Sequence, residues 1–391
     1  MTLVHVAFWA AAALILYTYF GYPLLVIVVS RLRRRPVRRE PHTPSVTFLV
    51  AAYNEEAVIE RKLRNTLALD YPADRLEIVV ASDGSTDRTN EIVSAHESRG
   101  VRLLASPMRR GKNGLLNHVV PQTRGDVVVV SDANIDLAPD ALLQLMEPFA
   151  DPATGGAWGD KIYHNPSASS AGEGEALYLR YEKFMKSCET RIGSIVAGEC
   201  SCLAFRREVF RPVPVDVPDD FALSTNVVHA GRRMLFVREA KTFEDTSPTN
   251  RDEFRRKVRI IERGIRGFFR VLPLANPFRT GFYAVSLVTR QLLRRIVAAL
   301  FLILALLLPI LALDSQLHRM LLIGAVVVLL LAGVGATVRG RLRQAPWFFV
   351  PYYFVLVNVA ALVGLGRCLV GQRSVTWQPT GRTAARGNAH G

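Results

Sequence analysis

Four β-branched residues in a row, Val127 to Val130, open the stretch VVVVSDANIDLAPDALLQL and constrain the chain more than any other run. A strand that is apolar at every position, not at alternate ones, needs cover on both faces. That is the pattern of a central strand in a parallel sheet with helices on either side. Asp132, Ala133 and Asn134 follow where the strand should end. Open parallel sheets bind ligands just beyond the carboxyl ends of their strands. An Asp and an Asn two residues apart at such a place present oxygens to one divalent cation, and through it to a diphosphate. The same tripeptide also reads as an Asx-type turn capping the next helix, and the stretch alone does not separate the two.

The segments before it repeat the pattern. SVTFLVAA (45–52), LEIVVAS (76–82) and VRLLAS (101–106) read as strands, and residues 55–69 and 87–97 between them as helices. GKNGLLNHVVPQT leads through a further helix to the central strand. Strand–helix alternation at this spacing predicts an α/β domain with a doubly wound sheet, placed at residues 41–250, with a nucleotide at its carboxyl edge.

Both ends of the chain have another character. Residues 6–29 carry no charge and are long enough for about 30 Å of hydrocarbon at 1.5 Å per residue. RLRRRPVRR follows at once, from Arg31 to Arg39. A secretory signal has its charge before the apolar run, so this order predicts an uncleaved anchor, amino terminus outside, within residues 1–40. Residues 251–296 place apolar and Arg side chains at helical spacing, as amphipathic helices at a lipid surface do. Residues 297–313, 320–338 and 347–366 read as three more spans, so the carboxy-terminal membrane region is placed at 297–370, with a polar tail at 371–391. The predicted protein is multi-pass in the plasma membrane, with its α/β domain in the cytosol and membrane lipid as a constant partner.

The net charge of +15 fits this picture, because many Arg residues flank apolar runs. Aromatic–basic interleaving, zinc-ligand spacing and a helix-turn-helix pattern are missing, so nucleic acid is not expected as a partner. Of the four cysteines, Cys188, Cys200 and Cys202 fall in the cytosolic region and are expected to be reduced, serving as packing.

Residues suited to chemistry recur at the strand ends: Tyr53, Asn54 and Glu55, then Asp83 and Gly84, then Gly111 and Lys112, then Asp132 and Asn134. Singly, each has a bland reading as packing or a turn. Further on, VPDDFALSTNVVHAG (217–231) sets two adjacent carboxylates, Asp219 and Asp220, in an otherwise apolar segment. There they read either as a helix amino cap or as functional acids.

In this order, the AAYNEE (51–56) and ASDGSTDRT (81–89) stretches above all, the sequence resembles the family 2 glycosyltransferases, whose nucleotide-binding fold is called GT-A. It is most similar to the membrane-embedded branch that includes hyaluronan, cellulose and poly-N-acetylglucosamine synthases. The resemblance implies that Tyr53 and Glu55 border a uridine, that Asp83 bonds the uracil and that Lys112 neutralises the diphosphate. Asp132 becomes the first acid of the family's DxD motif. Asn134 stands where the second acid would, leaving a site for Mg²⁺ or Mn²⁺ one charge weaker. The acidic pair implies Asp220 as general base, eleven positions before Gly231, with Asp219 beside it. One base and in-line attack imply inversion at the anomeric carbon.

Processive members of the family carry a Gln-x-x-Arg-Trp motif. Here the run is Arg256, Lys257, Val258, Arg259, Ile260, in which Arg259 matches the Arg and is assigned to the diphosphate. The Gln and the Trp are absent. SIVAGECSCLAFRREVF (194–210) matches the acceptor-side segment, which places Gly198, Glu199, Cys200 and Ser201 near the acceptor sugar. Trp377 resembles a closing motif of relatives. The activity implied is transfer from a UDP-sugar to a growing exopolysaccharide or glycan chain. A small membrane subunit or a homo-oligomer is expected to complete the channel. The alternatives are transfer of a single sugar to a lipid-linked acceptor and a non-catalytic membrane scaffold.

Overall fold

The computed structural model describes residues 2–163, 170–198, 202–244, 250–337 and 345–371. Among these, the chain forms two compact units.

One unit takes residues 35–163, 193–198, 202–244 and 250–252. It holds strands β1 (Val46–Ala52), β2 (Leu76–Asp83), β3 (Val101–Ser106), β4 (Val127–Asp132), β5 (Asp136–Leu137), β6 (Thr154–Tyr163), β7 (Cys202–Arg206) and β8 (Arg233–Glu244). They form one sheet in the order β3-β2-β1-β4-β7-β6-β8-β5. The predicted β1 to β4 lie where the sequence put them, and they run parallel to one another. Beyond β4 the sheet is mixed. β7 is antiparallel to both β4 and β6, β6 and β8 are parallel, and β5 is antiparallel to β8. The doubly wound, parallel pattern read from the sequence is the first half of this sheet. β5 and β8 lack the continuous β-branched run that marks β4, which is why the second half did not show in the sequence.

The core follows the pleat. Val46, Phe48 and Val50 of β1 and Val127 and Val129 of β4 face one way, onto Ile59 and Leu63 of the Ile59–Leu67 helix and Leu142 and Leu145 of the Ala141–Met146 helix. Leu49, Val79, Val128 and Val130 alternate with them and are also buried, on the face where the Gly111–Val119 helix packs. Cover on both faces satisfies the demand that four consecutive valines make. The register then fixes the edge. Ala51 lies opposite Asp132 and Ala52 opposite Ser82, so β1, β2 and β4 end together.

Among the described residues, the other unit contains four helices long and apolar enough to cross a membrane: Thr2–Leu32, Phe282–Leu311, Gln316–Thr337 and Trp347–Leu369. Their outward side chains, Leu329 and Leu330 among them, stay exposed, as lipid-facing residues of a membrane protein do. The helix from Phe282 runs without a break past residue 296, so the expected boundary there falls inside one continuous helix. The Ser170–Ile192 helix, expected in the α/β block, clusters with these apolar helices. Its Glu182 pairs with Arg290 and Arg294 (2.7 Å to the latter), and its Glu189 with Arg290 at 2.9 Å and with the Tyr22 hydroxyl at 2.6 Å. Burial by itself would raise the pKa of Glu182, but the two guanidiniums outweigh it and hold the carboxyl below its usual range. These arginines thus point at acidic partners inside the unit, which explains their helical spacing without a lipid surface.

Candidate active site

The shared ends of β1, β2 and β4 line a pocket with Ala51, Tyr53, Glu55, Asp83, Lys112, Asp132, Asn134 and Glu244 on its walls. It lies at the carboxyl edge of the parallel half of the sheet. Five of the six residues expected at the donor site therefore meet in one place. The sixth, Arg259, is half-buried on the Asn250–Arg270 helix of the other unit.

Each is held by a local device. The chain leaves β1 through Asn54, whose φ of 51° lies in the left-handed region that Asn tolerates, and whose side chain accepts from the Thr86 amide of the loop after β2 at 2.8 Å. The Arg109 guanidinium stacks on the Tyr53 ring, 3.9 Å from its centroid. Glu55 is buried, and its amide donates to the Thr89 hydroxyl at 2.8 Å. The Asp83 carboxylate accepts the backbone N–H groups of Arg110 and Gly111, at 2.6 and 2.8 Å. It thereby anchors the start of the helix that carries Lys112. Gly84 makes this possible. Its φ is +70°, and a Cβ there would meet the Arg109 amide nitrogen at 3.0 Å.

Lys112 is the centre of the charge arrangement. Its ammonium lies 2.7 Å from Asp132 Oδ1 and 2.9 Å from Asp219 Oδ2. Asp219 reaches it because Asn113 and Asn117, one turn apart on the same helix, hold the preceding loop. Asn113 donates to the carbonyls of Pro214 and Val217 at 2.5 and 2.8 Å. Asn117 exchanges two bonds with the backbone of Val213. Asp219 and Asp220 begin the Asp219–His229 helix, so their side chains leave it about 100° apart. Asp219 takes the lysine, and Asp220 accepts the Phe221 N–H at 2.7 Å.

Below the Asp132 turn lies a residue that the sequence reading passed over. Lys62, fully buried, donates to the Ser131 hydroxyl at 2.9 Å and to the Ile135 carbonyl at 2.5 Å, bracing both sides of the turn. Burial lowers its pKa to about 8. The signal existed: Lys62 shares one buried face of its helix with Ile59, Leu63 and Thr66, which are apolar or small, while the charged residues lie on the other face. Cys202 lies near it, and burial pushes that thiol up to about 12, which leaves it as neutral packing. Glu244, at the end of β8, was missed because no strand was read there.

Gly198 packs flat against Trp158, where an added Cβ would lie 2.2 Å from the ring, and the Trp158 indole donates to Ser224 at 3.0 Å. Glu199, Cys200, Ser201 and Trp377 lie outside the described residues, as does the side chain of Arg256.

Among the described residues, no three His, Cys, Asp or Glu side chains converge closely enough to hold a metal by themselves. The donors at the pocket are nonetheless hard oxygens, from Asp132, Asn134 and Glu244. They suit Mg²⁺ or Mn²⁺ when diphosphate oxygens complete the shell.

Residues 47–213 match the model of Glycosyl transferase family 2. The beta-monoglucosyldiacylglycerol synthase of Trichormus variabilis is 30% identical over 196 residues, 49% of this chain and 42% of the relative. The poly-beta-1,6-N-acetyl-D-glucosamine synthase of Staphylococcus aureus is 33% identical over 139 residues, 35% of this chain and 33% of the relative. The chain thus spans less than half the length of these curated relatives. In fold, it is similar to a mannosyltransferase from Pyrobaculum calidifontis solved with GDP-Man and Mn²⁺. That likeness has a TM-score of 0.70 at 23% identity and covers 94% of this chain and all of the other.

Proposed function

The chain carries a family 2 glycosyltransferase domain over residues 47–213, and from that premise we propose that it is a membrane-bound, inverting transferase of sugar from a UDP-sugar to a growing exopolysaccharide or glycan chain. The observation that carries the reading is Lys112, held between Asp132 and Asp219 in a pocket that also presents Tyr53, Glu55 and Asp83.

Tyr53 and Glu55 border the uridine, and Asp83 bonds the uracil with acceptor capacity left over from its two backbone bonds. Lys112 exchanges a carboxylate for diphosphate oxygens, and Arg259 adds a second positive charge. Asp132 and Asn134 would hold a divalent cation, Mg²⁺ or Mn²⁺, which when bound would supply charge stabilisation for the departing UDP. Asp220 is the base. It takes the proton of the acceptor hydroxyl as that oxygen bonds to the anomeric carbon and the carbon–phosphate oxygen bond breaks on the opposite side. Asp219, committed to Lys112, sets the lysine's place. Gly198 and the residues after it, Glu199 to Ser201, lie on the acceptor side.

The arginines from Arg31 to Arg39 support a plasma-membrane, multi-pass arrangement with the catalytic unit in the cytosol. A homo-oligomer or a small membrane subunit completes the path for the product. A second reading, transfer of one sugar to a lipid acceptor, is favoured by the missing Gln and Trp around Arg259 and by a relative whose name gives a glycolipid product.

The test is purified protein in nanodiscs with Mg²⁺ or Mn²⁺ and a panel of radiolabelled UDP-sugars, with the products sized. One sugar entering high-mass material supports the polymerising reading. One sugar entering only a lipid-sized product supports the second. No UDP binding and no turnover with any donor sinks both and favours a scaffold.

A further inference from the structure

The cation site read above is short of one carboxylate, because Asn134 stands where an acid would give the site its second negative charge. The sheet brings another acid to that spot. β5 and β8 pair antiparallel, with Asp136 opposite Phe243 and Leu137 opposite Thr242. Continuing that ladder by one residue sets Glu244 opposite Ile135, before the start of β5, toward the turn that contains Asn134. The contacts agree: the Asn134 amide donates to Glu244 Oε1 at 3.2 Å, and Glu244 lines the same pocket wall as Asp132.

The local charge is arranged in the same way on both sides. Asp132 is countered by Lys112 at 2.7 Å and Glu244 by Lys161 at 3.2 Å. Glu244 is about a quarter exposed and Lys161 mostly buried, so the pair opens on the pocket through the carboxylate. Two carboxylates flank one amide, and each is paired with a lysine. Hard divalent cations are held in proportion to the number of charged oxygens offered.

We propose that Glu244 is a metal-binding residue, supplying from the end of β8 the carboxylate that position 134 lacks, with Lys161 setting its orientation. The proposal rests on the reading that a divalent cation sits at Asp132.

Mn²⁺ binding to the full-length protein in nanodiscs, with saturating UDP, is read by electron paramagnetic resonance of free Mn²⁺. No turnover is required. Glu244→Gln keeps the size and an acceptor for the Asn134 amide but removes the charge, and it is expected to weaken Mn²⁺ about tenfold or more. Asn134→Asp in the Glu244→Gln background returns the charge to its other position, and is expected to restore most of the affinity. Glu244→Gln with the parent's affinity overturns the proposal. So does a loss that Asn134→Asp leaves unrepaired, since the residue then shapes the pocket without holding metal. Asp132→Ala separates the two levels. If it too leaves Mn²⁺ binding unchanged, the cation reading itself fails. If it abolishes binding while Glu244→Gln does not, only the role of Glu244 fails. Matching thermal midpoints across the variants show that each is folded.

Discussion

Replacing Lys62 by Met tests the brace under the Asp132 turn, and the pH dependence gives it a sign. Met keeps nearly the same length and volume but can neither ionise nor donate. The Lys62 ammonium titrates at about 8 in the folded chain against an ordinary 10.5. Between those values the unfolded chain binds more protons than the folded one, so stability rises with pH. Below about pH 8, burying the charge costs the fold about 3 kcal/mol, and that cost is gone above about pH 10.5. From pH 7 to pH 9.5 the parent should regain about 2 kcal/mol from this residue. In a domain of roughly 200 residues, that is a rise of about 4–8 °C in thermal midpoint. The assay is tryptophan fluorescence during heating, in nanodiscs without nucleotide, at both pH values for parent and variant. Other groups titrate equally in the two proteins, so the quantity of interest is the difference between their pH responses. Lys62→Met should lack the alkaline gain and should also bind UDP more weakly, because Ser131 and the Ile135 carbonyl lose their common donor. Parallel pH responses would refute a charged Lys62 in the core, and unchanged UDP affinity would refute its bracing of the site.

Three further substitutions probe the pocket. Asp220→Asn should abolish transfer while calorimetry still detects UDP binding, and near-normal turnover would remove Asp220 from the role of base. Asp132→Ala should weaken UDP binding in the presence of Mn²⁺ more than with EDTA present, and an equal loss under both conditions would argue against a cation at that residue. Gly198→Ala forces a Cβ into the Trp158 ring, and overpacking of this kind costs about 1–3 kcal/mol. A midpoint unchanged on heating would mean that the 193–198 segment does not rest on Trp158 in solution.

Much of the donor half was legible because its signals are local. Largely apolar runs mark β1, β2 and β4, continuously β-branched in β4, and the chemistry follows each run within a few residues, as at Tyr53, Asp83 and Asp132. The GKNGLLN segment showed Lys112, but not that Asn113 and Asn117 fasten a loop about a hundred residues later. The acidic pair was visible at 219–220, whereas the division of labour between its members was not, since it depends on which one the helix turns toward Lys112. The arginines at 290 and 294 looked like a lipid-facing set because their acidic partners, Glu182 and Glu189, lie on a helix read as part of the other unit.

By itself, then, the amino-acid sequence determined that the segments of β1 to β4 are strands, which helices are apolar enough for a membrane, and which chemical groups sit at the ends of β1, β2 and β4. Periodicity and burial demand act over a few residues and can be read there. The tertiary structure alone decided the mixed second half of the sheet, the brace at Lys62, the contact of Gly198 with Trp158 and the arrival of Glu244 beside Asn134. Each of these joins residues dozens of positions apart through strand register and packing, and no local pattern in the chain encodes where two such segments meet.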